Sequence, residues 1–232
     1  MPDPKHDKPP LRTYGRRKGH RLSARKQGLV DTLLPRLRIA HEKPAPTSLT
    51  DLFDPPASGL TLEIGFGGGE HLAAMAKDDP TAGFIGCDVF LNGVAALLSH
   101  IDDAELANVR IYDGDARTLL DWLPDGSLDQ VFILFPDPWP KQRHHKRRLI
   151  APDTLANLAR VMKSGAALEI ASDIPSYIRT SLLAMYISGA FEWQAEGSED
   201  WRQRPAGRLE TRYERKARRE GLNCCYLSFR RR

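Results

Sequence analysis

The sequence predicts an α/β protein with a doubly wound, mostly parallel, seven-stranded sheet. Strand-like apolar segments alternate with helical segments from residue 60 to residue 229. One of them, LDQVFILF at 128–135, shows no polar alternation, which is typical of a strand buried on both faces. A glycine-rich sequence at 65–69 marks a tight turn between the first strand and the first helix of this unit.

The elements of this unit follow one another in a regular order. The strand segments are LTLEIG, FIGCDVF, NVRIY, LDQVFILF, AALEIAS, a strand near 190–195 and LNCCYLSF. Helices are predicted at EHLAAMAKD and near 92–103, 152–163 and 176–188. Because strands and helices alternate, the connections favour parallel pairing over hairpins.

The chain before residue 60 has a different composition. Residues 1–25 are rich in proline, lysine and arginine, and we expect them to be disordered until they bind a partner. A helix is predicted over 24–34, ended by Pro35. The predicted organisation is a basic N-terminal extension (1–43), a proline-rich connector (44–58) and a catalytic-type α/β domain (59–232).

Composition excludes several classes of protein. Of 232 residues, 41% are hydrophobic, and no apolar run approaches the ~20 residues of a membrane-spanning helix. The N-terminus has no apolar stretch, so we expect neither a secretory signal nor a membrane partner. Three cysteines without CxxC spacing favour a cytoplasmic protein with no disulfide scaffold and no metal site.

Lysine and arginine are concentrated in three separate parts of the chain. Residues 1–43 carry a net charge of +8, residues 202–232 carry another +8, and residues 44–201 carry −12. Within that acidic middle lies a basic island, which consists of Lys141, Arg143, His144, His145, Lys146, Arg147 and Arg148. Three basic segments around an acidic body indicate a polyanionic partner such as nucleic acid.

The turn after the first strand has the spacing GxGxG, formed by Gly65, Gly67 and Gly69. Glycine permits the turn and lets a ligand approach the backbone closely. Glu63, two residues before the first glycine, would repel a pyrophosphate but attract the ammonium group of an amino-acid-bearing cofactor. The pattern resembles the first motif of S-adenosylmethionine-dependent methyltransferases.

Two further carboxylates strengthen this interpretation because they follow the second and third strands. Asp88 is placed to accept hydrogen bonds from both ribose hydroxyls of an adenosyl group. Asp115 is placed to accept one from the adenine amino group, and it is also placed to cap the next helix. The sequence leaves both roles open for Asp115 and predicts an S-adenosylmethionine site at this edge.

A proline-rich loop, FPDPWPK at 135–141, follows the fourth strand and runs directly into the basic island. Its prolines stiffen the loop and hold Asp137 and Trp139 at the edge where open α/β sheets bind ligands. A rigid carboxylate beside a large aromatic ring suits a planar base that is stacked and hydrogen-bonded on its edge. The adjacent cations suit the phosphates of that nucleotide.

Six segments together resemble the bacterial tRNA (guanine-N7)-methyltransferase family, whose members have the Rossmann-like fold of class I methyltransferases. They are LEIGFGGGEHL, GCDVF, DGDA, FPDPWPKQRHHKRRLI, ASD and ETRYERKARREG, spread over residues 62–221. The resemblance implies methyl transfer from S-adenosylmethionine to N7 of the guanine at position 46, in the variable loop of tRNA. It does not distinguish a monomer from a homodimer.

The resemblance also implies roles for particular residues. Cofactor-binding positions fall on Glu63, Asp88, Asp115 and Asp137, and the catalytic position also falls on Asp137. Substrate-binding positions fall on Lys141, Asp173, Thr211, Arg212, Tyr213 and Glu214, and RNA-binding positions on 143–148. The family commonly has Thr-Lys-Phe-Glu at 211–214, so this chain keeps the charge and the aromatic ring with different side chains.

Guanine N7 carries a lone pair and no proton, so its methylation needs no general base. A carboxylate that accepts hydrogen bonds from guanine N1–H and N2–H₂ would hold the base and favour its developing positive charge. Asp137, Asp173 and Glu214 are candidates for this contact, and the sequence does not rank them. For Asp173 the alternative is a helix cap, because Ser-Asp precedes Ile-Pro.

Three other functions remain open at this stage. Methyltransferases acting on adenine N6 or cytosine N4 carry Pro-Pro-aromatic after the acidic or amide residue, whereas here Pro138 alone separates Asp137 from Trp139. A non-enzymatic RNA-binding module would use the basic segments but would not bind S-adenosylmethionine. A small-molecule methyltransferase would leave those basic segments without a role.

Overall fold

The computed structural model of this protein describes residue 15 and residues 17–232. Its centre is a seven-stranded sheet with the strand order β3-β2-β1-β4-β5-β7-β6. The strands are β1 (Leu60–Ile64), β2 (Gly83–Cys87), β3 (Val109–Tyr112), β4 (Leu128–Leu134), β5 (Met162–Ser172), β6 (Phe191–Trp193) and β7 (Cys225–Arg231). The predicted doubly wound, mostly parallel α/β fold is confirmed.

Helices connect these strands and precede them. They are α1 (Ala24–Thr32), α2 (Leu34–Leu37), α3 (Glu70–Asp78), α4 (Leu91–Asp103), α5 (Ala116–Trp122), α6 (Pro152–Val161), α7 (Pro175–Ser188), α8 (Glu199–Arg202) and α9 (Arg212–Arg219). The helices predicted near 92–103, 152–163 and 176–188 are confirmed within two residues at each end. Helix α9 was not predicted, because its sequence RYERKARR has no apolar stripe.

The helices cover both faces of the sheet. Helices α1 to α4 pack on one face through a cluster that includes Leu34, Leu72 and Leu97. Helices α5 to α7 pack on the other face through a cluster that includes Leu119 and Leu155. Every residue of β1 and β2 is buried, as expected for central strands covered on both sides.

Strand β7 is the reversed strand of this sheet. It pairs antiparallel with β5, and Ser172 at the end of β5 lies opposite Cys225 at the start of β7. Because parallel strands β1 to β5 all end at one edge, the reversed strand begins at that same edge. Helix α9, which precedes β7, is thereby brought to the edge that carries the predicted site.

The part of the N-terminal extension that the structure describes is attached to α4. The backbone N–H of Leu91 donates to the carbonyl of Arg17 at 2.9 Å. Asn92 accepts from the N–H of Gly19 and donates to the carbonyl of His20, both at 2.7 Å. The prediction that residues 1–25 are disordered is wrong for residues 17–20, and for residues 1–14 and 16 it lies outside the described residues.

Two local predictions before β1 also need correction. Pro35 does not end the helical segment, because it occupies the first turn of α2, where a missing N–H costs no hydrogen bond. The connector contains a 3₁₀ helix, Leu49–Leu52, and buries Leu49 and Phe53 in the core. It is therefore an integral part of the domain. No helix in the described part of the chain is long and apolar enough to cross a membrane.

Candidate active site

The glycine-rich turn exposes its backbone at the end of β1. Gly65, Gly67 and Gly69 all have positive φ angles, of 75°, 58° and 79°, which L side chains rarely adopt. Gly65 is solvent-exposed, and a Cβ there would meet nothing within 4 Å. The main chain is therefore open to a ligand at Gly65, whereas residues 66–69 are buried.

Gly93 in α4 supports the turn, and the sequence analysis missed it. A Cβ at Gly93 would lie only 2.2 Å from the carbonyl oxygen of Gly67. The helix can approach the turn this closely because position 93 has no side chain. Gly93 is buried and lies in a well-formed helix, where glycine costs about 0.5–1 kcal/mol relative to alanine, so the residue is explained by this contact.

Asp88, directly after β2, is held by the turn itself. Its carboxylate accepts from the N–H of Gly67 and from the N–H of Phe90, both at 2.9 Å. Burial raises the pKa of Asp88, and the nearby charge of Asp137 raises it further. The structure therefore brings together two of the predicted acidic residues, from the ends of β2 and β4, beside the glycine-rich turn.

Asp137 lies in a loop with an unusual backbone. Phe135 and Trp139 on either side of it have φ angles of 51° and 40°, although neither is glycine. Such conformations cost about 1–3 kcal/mol each and persist where the surroundings impose them. Asp137 lies at an exposed position of this loop, yet partial burial of its carboxyl raises its pKa.

These raised pKa values predict a gain in stability when one charge is removed. Because the pKa of Asp137 is higher in the folded protein than its ordinary value, the ionised form destabilises the fold at neutral pH. We expect Asp137→Asn to raise the melting temperature of the cofactor-free protein at neutral pH. The gain should shrink as the pH falls through the carboxyl range, since the wild type then becomes neutral too.

Thermal unfolding of both proteins between neutral pH and about pH 4 measures this difference. An Asp137→Asn protein that melts below the wild type at neutral pH would contradict the prediction.

Glu63 is buried in the core below the turn. Its Oε2 lies 3.0 Å from Nδ1 of His71, and both side chains are almost fully buried. The His71 ring also packs edge-on against Phe132, at a centroid distance of 4.9 Å. In the free protein, Glu63 is therefore bound to His71 and is not exposed in the crevice, by which we mean the space beside Gly65, Asp88 and Asp137. Its cofactor-binding role stays a prediction.

Asp115 caps the helix that follows β3. It accepts from the backbone N–H of Arg117, at 3.0 Å, and forms a two-pronged ion pair with the guanidinium of the same residue. The N-cap alternative considered for Asp115 is therefore confirmed. The adenine contact, which the sequence left open beside it, stays a prediction.

The basic island divides into exposed, stacked and buried members. Arg143 and Lys146 are exposed, as is Lys141. The ring of Trp139 contacts two members of the island: the Arg147 guanidinium lies 4.9 Å from its centroid, and His144 meets it edge-on. Arg148 is only 5% exposed and is hydrogen-bonded within the protein, so the free protein does not present it for the predicted contact with RNA.

Asp173 follows β5 at the same edge of the sheet. The helix-cap alternative for this residue is wrong, because Ser172, not Asp173, accepts from the N–H of Ile174 at 3.2 Å. Burial first, and then the charges of Glu214 and Asp173, raise the pKa of Cys224 to about 11, which places these two carboxylates near one thiol. The structure therefore brings β5 and the segment before β7 together, as the family resemblance implies.

Residues 211–214 form the start of α9, and each has a distinct environment. Thr211 caps the helix by accepting from the N–H of Glu214 at 3.1 Å. The Tyr213 ring lies against the glycine-rich turn, since a Cβ at Gly67 would be 2.9 Å from its Cε2. Arg212 is exposed and lies over the Tyr213 ring. This segment thus borders the same crevice as Asp88.

Glu214 is buried and committed to internal partners. It accepts a 2.6 Å hydrogen bond from the hydroxyl of Tyr226, and Arg204 lies 3.4 Å away. Burial and the Glu214 carboxylate raise the pKa of Tyr226. Glu214 is therefore not presented to a guanine edge in the free protein. Sequence reasoning missed Tyr226, at the start of β7, and Arg204, in the loop after α8, because neither residue belongs to a recognisable motif.

The crevice suits a cationic nucleoside cofactor on structural grounds. It combines the open main chain at Gly65 with the carboxylates of Asp88 and Asp137, whose mutual repulsion a positive group would relieve. Within the residues that the structure describes, no group of three or more His, Cys, Asp or Glu is arranged to hold a metal ion.

A doubly wound sheet with a crevice at the carboxyl ends of its strands is typical of Rossmann-like proteins that bind a nucleoside cofactor. Residues 57–227 match a family model described as "Putative methyltransferase". The sequence is 49% identical over 218 residues to a tRNA (guanine-N(7)-)-methyltransferase of Rhizobium meliloti (strain 1021), covering 94% of each chain. A protein of the same name from Rhodospirillum rubrum is 48% identical, over 95% of this chain and 88% of that one.

Solved structures agree on the fold. An antibiotic-related methyltransferase superimposes with a TM-score of 0.55 at 17% identity, covering 82% of this chain and 98% of that chain. The 16S rRNA methyltransferase KamB superimposes with a TM-score of 0.53 at 17% identity, covering 76% of this chain and 89% of that chain.

The family model and the two sequence relatives show that the chain belongs to the tRNA (guanine-N7)-methyltransferase family.

Proposed function

We propose that this protein transfers a methyl group from S-adenosylmethionine to N7 of the guanine at position 46, in the variable loop of tRNA. One observation carries the chemical part of this proposal. The carboxylate of Asp88 is bound by the N–H of Gly67, in the turn that exposes the main chain of Gly65, and the charge of Asp137 contributes to its raised pKa. Membership of the family supports the choice of tRNA and of guanine N7.

The reaction asks mainly for positioning. S-adenosylmethionine supplies an electrophilic methyl group on a positively charged sulfur. Guanine N7 attacks it with an in-plane lone pair, so the protein has no proton to remove from the attacking atom. Correct orientation alone is worth about 7–11 kcal/mol in such reactions. The rigid loop at 135–139 and the fixed turn at 65–69 are the parts of this protein that supply orientation.

Asp137 and Asp173 are the two carboxylates that we assign to the reacting base. We leave Glu214 out of that set because it is only 1% exposed and its Oε1 is bound by Tyr226 and lies near Arg204. A carboxylate on the N1 and N2 edge would stabilise positive charge that develops on the purine. It would also select guanine, because adenine has no N1–H and would leave a desolvated carboxylate unpaired.

We assign the exposed cations of the basic island to tRNA phosphates. We expect replacement of Arg143 and Lys146 by alanine to weaken tRNA binding and to flatten its salt dependence. The log–log slope should fall by about one unit for each phosphate contact that is lost. Lys77→Ala is the matched control, because Lys77 is exposed on α3, towards the opposite edge of the sheet. A double variant with the wild-type slope would remove these residues from the interface.

The proposed function as a whole is tested by product analysis. The purified protein is incubated with radiolabelled S-adenosylmethionine and unmodified tRNA, and the product is digested to nucleosides and mapped. We expect N7-methylguanosine at position 46, and a tRNA with adenosine at that position should accept no label. Label in N6-methyladenosine or N4-methylcytidine would identify an amino-methyltransferase. Binding of tRNA with neither label nor S-adenosylmethionine affinity would identify a non-enzymatic module.

We place this activity in the cytoplasm. Cys87, Cys224 and Cys225 are all free thiols in the structure, which fits a reducing compartment.

A further inference from the structure

Arg148 ends the basic island but does not share the environment of its neighbours. Its side chain is 5% exposed, whereas Arg143 and Lys146 lie at the surface. A surface phosphate cannot be neutralised by a guanidinium that the protein itself surrounds. The internal partners of Arg148 therefore indicate its role.

Those partners belong to two elements, the Asp137 loop and α7. The Nε of Arg148 donates to the carbonyl of Pro138 at 3.0 Å. Its Nη1 donates to the carbonyl of Ser176 at 3.0 Å and to the hydroxyl of Thr180 at 2.8 Å, and its Nη2 donates to the Ser176 hydroxyl at 3.0 Å. The guanidinium also lies over the ring of Tyr177, 5.1 Å from its centroid. The single guanidinium of Arg148 thus connects the Asp137 loop to α7.

The loop is a segment that needs such a restraint. Pro138 is the residue between Asp137 and Trp139, and the φ angle of Trp139 is 40°. Strained backbone conformations relax unless the surroundings fix them. A charge-assisted hydrogen bond to the carbonyl of Pro138 fixes the Pro138–Trp139 peptide, directly before the residue with the strained φ angle and one residue after Asp137.

We propose that Arg148 is a positioning residue for methyl transfer, a buried latch that ties the Pro138 carbonyl to α7 and so holds Asp137 and Trp139 at the crevice. This inference rests on the proposed function for its kinetic consequences. Its structural content, that the loop is held by α7 through one guanidinium, can be tested separately.

Two variants break the latch to different degrees. Arg148→Lys keeps the charge but loses the fork that reaches both elements at once. We expect kcat to fall about 100-fold, the usual order for a small misplacement of reacting groups, with the KM for tRNA nearly unchanged. Thr180→Val removes one acceptor while keeping the side-chain shape, and we expect a several-fold fall in kcat. Thr180→Ser keeps the hydroxyl, so this control variant should retain the wild-type kcat.

The salt dependence of tRNA binding separates the latch from an RNA contact. For Arg148→Gln, which removes the charge, and for Thr180→Val we expect the wild-type slope, in contrast to the Arg143 and Lys146 double variant described above. An arginine that contacted an RNA phosphate would lose affinity and flatten the slope when its charge is removed. A flattened slope in a folded Arg148→Gln protein would overturn the proposal.

Amide hydrogen exchange tests the latch without any assay of methylation. In folded Arg148→Lys and Thr180→Val, peptides that cover residues 135–141 should exchange faster than in the wild type and in Thr180→Ser. Thermal unfolding shows which variants are folded, and Thr180→Val remains informative if Arg148→Lys is not. Wild-type exchange in a folded variant would overturn the latch. If the wild type forms no N7-methylguanosine, the proposed function is wrong. The hydrogen-exchange experiment still tests whether Arg148 holds the loop, because it does not depend on methylation.

Discussion

Asp137→Ala should reduce turnover by about 100- to 1,000-fold and leave the affinity for tRNA nearly intact. Asp137 lies in the strained loop after β4 and close enough to Asp88 to raise the pKa of that residue. The proposed function assigns Asp137 to the cofactor and the reacting base, and the exposed cations of the basic island to the rest of the tRNA. Single-turnover rates with saturating tRNA, together with binding curves, measure the two effects separately.

Asp78→Ala is the matched control for that experiment. Asp78 is an exposed aspartate in the last turn of α3, away from the turn that begins this helix, so turnover should not change. An Asp137→Ala protein that loses tRNA affinity and turnover by equal factors would contradict a role at the reacting base. It would place Asp137 in RNA binding instead.

Gly93→Ala should abolish S-adenosylmethionine binding and destabilise the protein. The added methyl group would lie 2.2 Å from the carbonyl oxygen of Gly67, so α4 and the turn would have to separate. Gly67 is the residue whose N–H binds Asp88, so displacing it would disturb the acidic side of the crevice as well. Overpacking of a well-packed contact costs about 1–3 kcal/mol. Calorimetry with S-adenosylmethionine and thermal unfolding measure both losses.

Gly28→Ala controls for the general effect of alanine on a helical glycine. Gly28 lies in α1, and a Cβ there would meet nothing within 4 Å. We expect this variant to be more stable than the wild type by about 0.5–1 kcal/mol and to bind the cofactor normally. Full cofactor affinity in Gly93→Ala would show that the turn tolerates displacement, and would remove Gly93 from the site.

Much of the fold could be predicted because it depends on local patterns. Buried parallel strands give uninterrupted apolar runs, and LDQVFILF became the central strand β4 for that reason. The carboxyl ends of parallel strands meet at one edge, so the meeting of Asp88 and Asp137 followed from topology alone. Helix α9 was missed because six of its eight residues, RYERKARR, are charged, and Tyr213 and Ala217 are its only apolar side chains.

The site was less predictable because burial decides what a charged residue does. Arg147 and Arg148 are adjacent and chemically identical, yet one lies on the Trp139 ring and the other is enclosed between a loop and α7. Burial also decides the role of Glu214. Its hydrogen-bond partner, Tyr226, lies in β7, twelve residues further along the chain. Sequence identifies such residues as polar and clustered, but only tertiary contacts distinguish a surface cation from a structural one.

The attachment of residues 17–20 to α4 depends on some side chains of this segment and not on others, so some of its positions can be substituted freely during evolution. Asn92 binds only main-chain atoms of Gly19 and His20, so the side chain at position 20 does not contribute to the anchor. Position 19 is different, because a Cβ there would lie 3.0 Å from both Asn92 and the Phe90 ring. Over evolutionary time the charge of this segment can therefore drift while its attachment to the domain is inherited intact.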